Sequence, residues 1–262
     1  GAAAGRFWRR WIAGAIAIGV AAMTLADAAL AWDGAYYLFR ILDDGAPFIV
    51  FRRYGVLPIQ APAWIALELG AGIDAVRTAF SFGHAAVPAA ALALCWWIVR
   101  REAPRLFLWP VVGIGLVTLP GQLFLVSEAI QTAQLAWPVF LWLILGAPRR
   151  GRILCGVLVL LLLVLHPAAS IVLGGAGALG VAVGRRLGLR PISITAAILI
   201  ALALLRAALL LSGWWEAKGI EHAGYALHFK QAVRGLPLVA LLLGYAGAAL
   251  LLARTRDPRR GR

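Results

Sequence analysis

The residues best suited to carry out chemistry are concentrated in one stretch, WDGAYYLFRILDDGAPFIVFRRYG, from Trp32 to Gly55. This stretch holds three aspartates, three arginines and three tyrosines, in a chain that is 63% hydrophobic. A carboxylate at the edge of a membrane is partly desolvated, and partial desolvation makes it a better general base. Asp33 is the candidate for that role. The alternative is that Asp33-Gly34 only turns the chain and caps a helix.

Cations in two polar stretches could hold a phosphate group. Arg52 and Arg53 could bind a phosphate through paired hydrogen bonds, or they could anchor the chain to anionic lipid headgroups. Lys218 and Lys230 lie in the second polar stretch, residues 212–234. If the two stretches face the same side of a membrane, we expect a phosphate site to draw on both.

Other polar residues have both a functional and a structural interpretation. Glu128 could position an acceptor or bind a divalent metal ion, or it could stabilise the start of a helix. His166 could bind substrate, although a structural hydrogen bond is the better interpretation, and the same holds for His84. Asp43 and Asp44 are interpreted as turn residues that face water. The sequence contains no zinc spacing, phosphate-binding loop or dinucleotide glycine pattern, so it predicts no definite cofactor.

The composition predicts that membrane-spanning helices position these residues. The mean hydropathy is +0.88, and apolar runs of about 20 residues, long enough to cross a bilayer, recur along the chain. A soluble domain would need a more charged surface. Cys95 and Cys155 fall inside apolar segments and are expected to be buried hydrophobic residues. We therefore predict an all-α, polytopic membrane helix bundle that forms a single membrane domain over residues 1–262.

About eight spans are predicted. The apolar run 153–184 has 32 residues, too many for one span, and a break is expected at His166-Pro167 because proline disfavours helix in the residue before it. The apolar run 11–31 is longer than a signal-peptide core of about 7–15 residues, so it is expected to be retained as a span. The predicted spans cover residues 11–31, 78–98, 106–126, 132–147, 153–165, 168–184, 191–211 and 235–254.

The distribution of arginine sets the predicted orientation. The net charge is +14. In a membrane protein such an excess of basic residues is explained first by their enrichment on the cytoplasmic side, so no nucleic-acid partner is expected. If the apolar run 56–71 stays on the outer surface, 17 of the 25 basic residues fall on one side, in five clusters. These clusters are Arg6/Arg9/Arg10, Arg100/Arg101/Arg105, Arg149/Arg150/Arg152, Arg185/Arg186/Arg190 and Arg254/Arg256/Arg259/Arg260/Arg262. We therefore expect both termini in the cytoplasm of a bacterial-type plasma membrane, with outer loops at 32–77 and 212–234.

The first outer loop is predicted to contain two helices that lie on the membrane surface. In the first, an apolar helical face is separated from the charged residues, a pattern typical of an interfacial helix. That face consists of Tyr37, Leu38, Ile41 and Leu42. Gly45 and Pro47 are expected to end this helix, and residues 58–71 are expected to form the second one.

Two ionisable residues inside predicted spans are expected to pair. Asp27 and Arg206 lie at similar depths in the outer half of the first and seventh spans. A charge near the centre of a bilayer costs about 2.5–3.5 kcal/mol, and pairing offsets part of this cost. The alternative is that Arg206 extends outward to reach the interface.

This layout resembles the N-terminal module of GT-C-fold membrane glycosyltransferases, which use polyprenyl-phosphate-linked sugars. The similarity lies in a first span that ends at Trp32-Asp33-Gly34, a long outer loop with two interfacial helices, and a series of spans with short loops. It covers about residues 7–213. The resemblance implies that the chain transfers a sugar from a polyprenyl-phosphate carrier to an acceptor on the outer face, with Asp33 as the general base. The alternative is a non-catalytic scaffold or accessory subunit that binds another membrane protein.

Overall fold

The computed structural model describes residues 2–30, 33–49, 52–118, 127–145, 149–187 and 190–212. This part of the chain is helical and contains no strand, which confirms the all-α class for the described residues. The helices are α1 (Ala2–Leu25), α2 (Asp33–Asp44), α3 (Leu57–Glu68), α4 (Ile73–Val99), α5 (Leu108–Val112, continued by a π-helix over Gly113–Thr118), α6 (Glu128–Leu145), α7 (Arg149–Leu165), α8 (Ala169–Leu187) and α9 (Arg190–Leu211). Short 3-10 turns lie at Ala28–Leu30, Tyr54–Val56 and Pro104–Phe107.

Two of the described helices, α4 and α6, are long and apolar enough to cross a bilayer. Shorter apolar segments lie in α1, α7, α8 and α9; they are Arg10–Leu25, Ile153–Leu165, Ala169–Gly184 and Ile194–Leu210. Each predicted span up to residue 211 overlaps one of these helices. Helix α1 ends at Leu25, before the predicted end of the first span at residue 31, and the ends of 106–126 and 132–147 are not among the described residues. The predicted span 235–254 and the predicted outer loop 212–234, beyond Ser212, also lie outside them.

Successive long helices run in opposite directions. In the pair α5 and α6, Thr118 contacts Gln134, whereas Gly113 lies against Trp137. In the pair α8 and α9, Gly174 lies against Ala203 and Gly180 against Ala196. The bundle therefore has two distinct ends. We call the end where α4, α6 and α8 begin the Glu128 end, and the end where they finish the Arg100 end.

Helix α6 forms the centre of the bundle. Every residue from Gln131 to Ile144 is buried, because α4, α5, α7 and α8 all pack around this helix. Close approach of α5 requires a glycine, since a Cβ at Gly113 would collide with the indole ring of Trp137. Small residues allow helices to pack this closely.

The connection between α7 and α8 confirms the predicted break at His166-Pro167. Helix α7 ends at Leu165 and α8 begins at Ala169. The backbone N–H of Ala168 donates to His166 Nδ1 at 3.0 Å, so the histidine ring stabilises the turn that the proline imposes. His166 therefore makes the structural hydrogen bond expected from the sequence.

The two short helices of the first predicted outer loop are both present, as α2 and α3. In α2, Tyr37, Leu38 and Ile41 are buried, and Leu42 is half-buried, as the amphipathic pattern predicts. The helix ends at Asp44 and is followed by Gly45, whose φ of +65° is a left-handed conformation that glycine adopts without strain. Helix α3 packs against α4, where Gly83 leaves room for the carbonyl of Ile59.

The predicted contact between Asp27 and Arg206 is wrong. The Asp27 carboxylate lies 3.3 Å from Arg77 Nε and accepts a hydrogen bond from Ser81 Oγ at 3.3 Å. Arg206 Nε instead donates to the carbonyl of Leu163 at 2.9 Å. The reason is packing: α1 lies against α4, which carries Arg77, whereas α9 lies against α8 and α7, and Leu163 belongs to α7.

Candidate functional site at the Glu128 end

A buried cluster of three polar side chains joins distant parts of the chain at the Glu128 end. Glu128 is the first residue of α6 and is only 5% exposed. Its Oε1 accepts a hydrogen bond from the hydroxyl of Tyr37 at 2.8 Å, and its Oε2 lies 3.4 Å from a terminal guanidinium nitrogen of Arg53. The Glu128 side chain therefore connects α6 to α2 and to the loop before α3.

The loop between α2 and α3 is held by one buried amide. The Gln60 side chain accepts a hydrogen bond from the backbone N–H of Phe48 at 2.8 Å and donates to the carbonyl of Phe48 at 3.1 Å. The ring of Phe48 in turn contacts Tyr36 and Tyr37, and the guanidinium of Arg40 lies 5.3 Å above it. These contacts fix α2 and Phe48 relative to α3.

The environment keeps Tyr37 protonated. Burial raises the pKa of Tyr37 well above its ordinary value, and the negative charge of Glu128 and the hydrogen bond to it raise the pKa further. Arg53 opposes this change, and Asp33 adds to it. The Tyr37 hydroxyl is therefore a permanent hydrogen-bond donor to Glu128 at physiological pH.

Asp33, the predicted general base, lies in the first turn of α2. It is exposed, and within the described part of the chain its carboxylate accepts no hydrogen bond. Asp33 and Tyr37 are four residues apart, so they share one face of α2. Because Tyr37 is anchored to Glu128, the direction in which α2 presents Asp33 is set by the buried cluster.

The predicted phosphate ligands are placed differently from one another. Arg53 is mostly buried and meets Glu128, whereas its neighbour Arg52 is exposed. Arg52 has a φ of +61°, a left-handed conformation that is uncommon for a residue with a Cβ atom. Lys218 and Lys230 lie outside the described residues.

His166 lies near this cluster because the preceding residue, Leu165, packs against Gly55 in the turn after Arg53. The turn Tyr54–Val56 packs against α7, and the main chain of Leu165 is so close that a Cβ at Gly55 would lie 2.6 Å from its Cα. His166 is half-buried and follows Leu165 directly. The end of α7 therefore packs against the segment Arg52–Val56, which we call the Arg53 loop.

Sequence reasoning did not identify a second layer of buried polar residues below Glu128. Gln131 Nε2 lies 2.8 Å from His84 Nδ1, and Gln134 Nε2 donates to Thr118 Oγ1 at 3.2 Å. The signal was present in the sequence, since the segment SEAIQTAQLAW places several polar residues in an apolar helix. Polar residues in such a helix are expected to face the interior of the bundle and to pair there.

The described residues contain no group of three or more His, Cys, Asp or Glu side chains able to hold a metal ion. Glu128, the predicted candidate for metal binding, has both carboxylate oxygens engaged by Tyr37 and Arg53. The cluster can therefore hold α2, the Arg53 loop and α6 in a fixed arrangement. Asp33 is an exposed carboxylate in the first turn of α2, one turn from the anchored Tyr37.

Comparison of this chain with models of protein families, with curated proteins and with solved structures gives no match in any of the three.

Proposed function

We propose that this chain is a multi-pass membrane protein of the GT-C type that transfers a sugar from a polyprenyl-phosphate carrier to an acceptor on the outer face of a bacterial-type plasma membrane. One observation carries the proposal. Asp33 is an exposed carboxylate on a short helix that a buried Tyr37–Glu128–Arg53 cluster docks onto the bundle. A base that is fixed in direction yet open to an acceptor hydroxyl is what this chemistry requires.

The proposed topology has about eight spans and both termini in the cytoplasm. The alternating directions of the described helices support it. They bring the start of α1, the turn after α4, the start of α7, the end of α8 and the start of α9 to the Arg100 end. These are the positions of four of the five basic clusters in the sequence. The bias of basic residues toward the cytoplasm then assigns the Glu128 end to the outer face.

In the proposed mechanism, Asp33 takes the proton from the acceptor hydroxyl as its oxygen attacks the anomeric carbon of the sugar. The bond from that carbon to the phosphate oxygen breaks, and the polyprenyl phosphate leaves as an anion that needs no protonation. Arg52 and Arg53 would hold this phosphate, together with Lys218 or Lys230. The Arg53 guanidinium would then contact Glu128 and the phosphate at the same time.

A purely apolar cavity supports a substrate that has a lipid tail. It has a volume of about 290 Å³ and lies between α1, α4 and α5. Every residue that lines it is apolar or glycine, from Ile12 and Met23 in α1 to Leu92 in α4 and Ile114 in the π-helix. A site of this kind suits hydrocarbon, because no polar group needs a partner there.

The second candidate is a non-catalytic scaffold or accessory subunit that binds another membrane protein. The Tyr37–Glu128–Arg53 cluster is also consistent with this second function. Glu128 and Arg53 satisfy each other in a site where their side chains are only 6% and 12% exposed. Such a pair is well suited to specifying how helices dock, with or without catalysis.

Native mass spectrometry and an activity assay together test the proposal. The protein, released gently from its own membrane, is expected to carry a polyprenyl phosphate, with or without a sugar, and its mass identifies the donor. With that donor, Asp33→Asn is expected to lower the transfer rate at least about 100-fold while donor binding persists. Asp43→Asn is the matched control, because Asp43 is an exposed carboxylate at the other end of α2.

Two results would count against the transferase. If Asp33→Asn and Asp43→Asn transfer sugar at the same rate, Asp33 is not the base. If the protein carries only bulk phospholipids together with a stoichiometric protein partner, the accessory subunit is the better interpretation.

A further inference from the structure

A small cavity lies at the Arg100 end, between the last turns of α4 and α6. Its volume is about 220 Å³. Two tryptophans, Trp97 and Trp142, line it together with the turn Arg100-Arg101-Glu102 that follows α4. This cavity is at the end of the bundle opposite Asp33 and Glu128, so it is distinct from the site described above.

The cations that line this cavity are not paired within the described part of the chain. The ion pairs of Arg40, Arg53 and Arg77 all lie at the Glu128 end. Among the described residues, Arg100 and Arg101 contact no carboxylate, and the neighbouring Glu102 is unpaired as well. The turn therefore presents two guanidinium groups that are available to an external anion.

The rings of Trp97 and Trp142 form an apolar wall of the cavity. Trp97 packs edge-on against Trp142, with the ring centroids 6.1 Å apart, so both rings are held in place. Trp142 is 2% exposed and its Nε1 is buried, so the ring contributes apolar contact and no hydrogen bond to a ligand.

The electrostatics of the helix ends show which groups would hold an anion. Both α4 and α6 finish at this cavity, and the carbonyl ends of helices carry partial negative charge. Backbone groups therefore favour the arginines there but not the anion itself. An anionic ligand must be held by the guanidinium groups of Arg100 and Arg101, whose two positive charges outweigh the one negative charge of Glu102 in the same lining. A planar guanidinium matches the oxygen atoms of a phosphate.

The size of the cavity limits the ligand. A volume of about 220 Å³ fits a small polar group such as a phosphate ester but not the acyl chains of a lipid. The chains of a lipid would instead run along the apolar surface of α4 beside Trp97, which is partly exposed.

We propose that this cavity binds the phosphate headgroup of an anionic membrane phospholipid. Basic pockets between helices on the cytoplasmic side of a membrane are suited to such headgroups. The site would fix the Arg100 end of α4 and α6 in the inner leaflet. This proposal does not depend on whether the chain is a glycosyltransferase, because none of its residues belongs to the Glu128 end.

The test is a titration of the full chain in neutral detergent with phosphatidylglycerol or phosphatidylcholine, followed by native mass spectrometry. We expect saturable binding of phosphatidylglycerol to one high-affinity site and no comparable binding of phosphatidylcholine. Arg100→Ala/Arg101→Ala should weaken this binding at least about tenfold, because it removes charge-assisted hydrogen bonds. Trp142→Phe should change it less than about twofold, because the buried Nε1 donates no hydrogen bond to the ligand.

The matched control is Arg10→Ala/Arg105→Ala, which removes two exposed positive charges at the same end without touching the cavity. It should change the affinity less than about twofold, since exposed charges at a distance are screened by salt. Equal losses in both double variants would overturn the proposal in favour of non-specific attraction. Thermal unfolding of each variant shows whether the fold is intact.

A competition experiment identifies the source of the phosphate. Glycerol 3-phosphate carries the same phosphate ester without acyl chains. If millimolar concentrations leave phosphatidylglycerol binding unchanged, the ligand is the membrane lipid as proposed. If glycerol 3-phosphate binds the wild type as tightly as the lipid does, the lipid headgroup proposal is overturned and the cavity is a site for a soluble phosphate ester.

Discussion

The two ends of the helix bundle use charged residues in opposite ways. At the Glu128 end, charged side chains pair with each other across long distances in the sequence, as Arg53 does with Glu128 and Arg77 with Asp27. At the Arg100 end, Arg100, Arg101 and Glu102 have no partner among the described residues. The difference indicates that the first set of charges stabilises the fold, whereas the second set is free to interact with something outside it.

Removal of the Glu128 carboxylate should have the largest effect on stability. Glu128→Ala leaves the Tyr37 hydroxyl and the Arg53 guanidinium without their acceptor in a buried site. Breaking one partner of a buried pair costs about 3–5 kcal/mol of unfolding free energy. Denaturant titration of the protein in mild detergent measures this loss. Asp74→Ala is the control, because the side chain of Asp74 is 85% exposed and its removal should have little effect. A small loss for Glu128→Ala would show that the cluster is not a structural one.

Crowding of the Arg53 loop should have the next largest effect. In Gly55→Ala, the new Cβ would lie 2.6 Å from the Cα of Leu165, so either the loop or α7 must move. Overpacking of this kind costs about 1–3 kcal/mol. Gly156→Ala is the control. Gly156 lies in α7, the helix that Gly55 contacts, and a Cβ at Gly156 meets no atom within 4 Å. If both variants unfold at the same temperature, the loop does not rest on α7 as described.

The Asp27–Arg77 pair should contribute less to the unfolding free energy than the Glu128 cluster or the packing of Gly55. Its side chains are 31% and 44% exposed, and partly exposed pairs of this kind contribute no more than about 1 kcal/mol. We expect Asp27→Asn and Arg77→Gln to lower the unfolding free energy by similar small amounts. The double variant should cost little more than either single one. A loss above about 2 kcal/mol in Asp27→Asn alone would indicate that another residue depends on this carboxylate.

The smallest effect is expected at the Arg100 end. Arg100→Ala/Arg101→Ala removes no ion pair of the described residues and should change the unfolding free energy in lipid-free detergent by less than about 0.5 kcal/mol. Thermal unfolding measures it. A large loss of unfolding free energy in lipid-free detergent would mean that these arginines stabilise the fold. The two ends of the bundle would then use their charged residues in the same way.

Local features of the fold could be predicted from the sequence. The alternation of apolar and charged residues after Asp33 predicted the short helix α2, and Pro167 predicted the boundary between α7 and α8. Both depend on physical effects that act over a few residues: the period of the helix and the steric effect of proline on the preceding residue. His84 and His166 were likewise expected to make structural hydrogen bonds, and both do.

The candidate site could be predicted only in part. Tyr37 was recognised as part of the apolar face of α2, but its hydroxyl is the donor to a carboxylate 91 positions away. Asp27 and Arg206 were matched by depth alone, and depth does not say which helices are neighbours. For the same reason, Glu128 was considered as a metal ligand or a helix stabiliser rather than as a partner of Arg53.

The sequence by itself determined that the described chain is helical, where several helices begin and end, and which residues are apolar, because these properties follow from local sterics and hydrophobic periodicity. Only the tertiary structure decided that Glu128 connects α2, α6 and the Arg53 loop, that Arg77 rather than Arg206 pairs with Asp27, and that Trp142 and Arg100 share a cavity. Those outcomes depend on the packing partner of each helix. Helix packing is set by the fit of many side chains at once, which no short stretch of sequence contains.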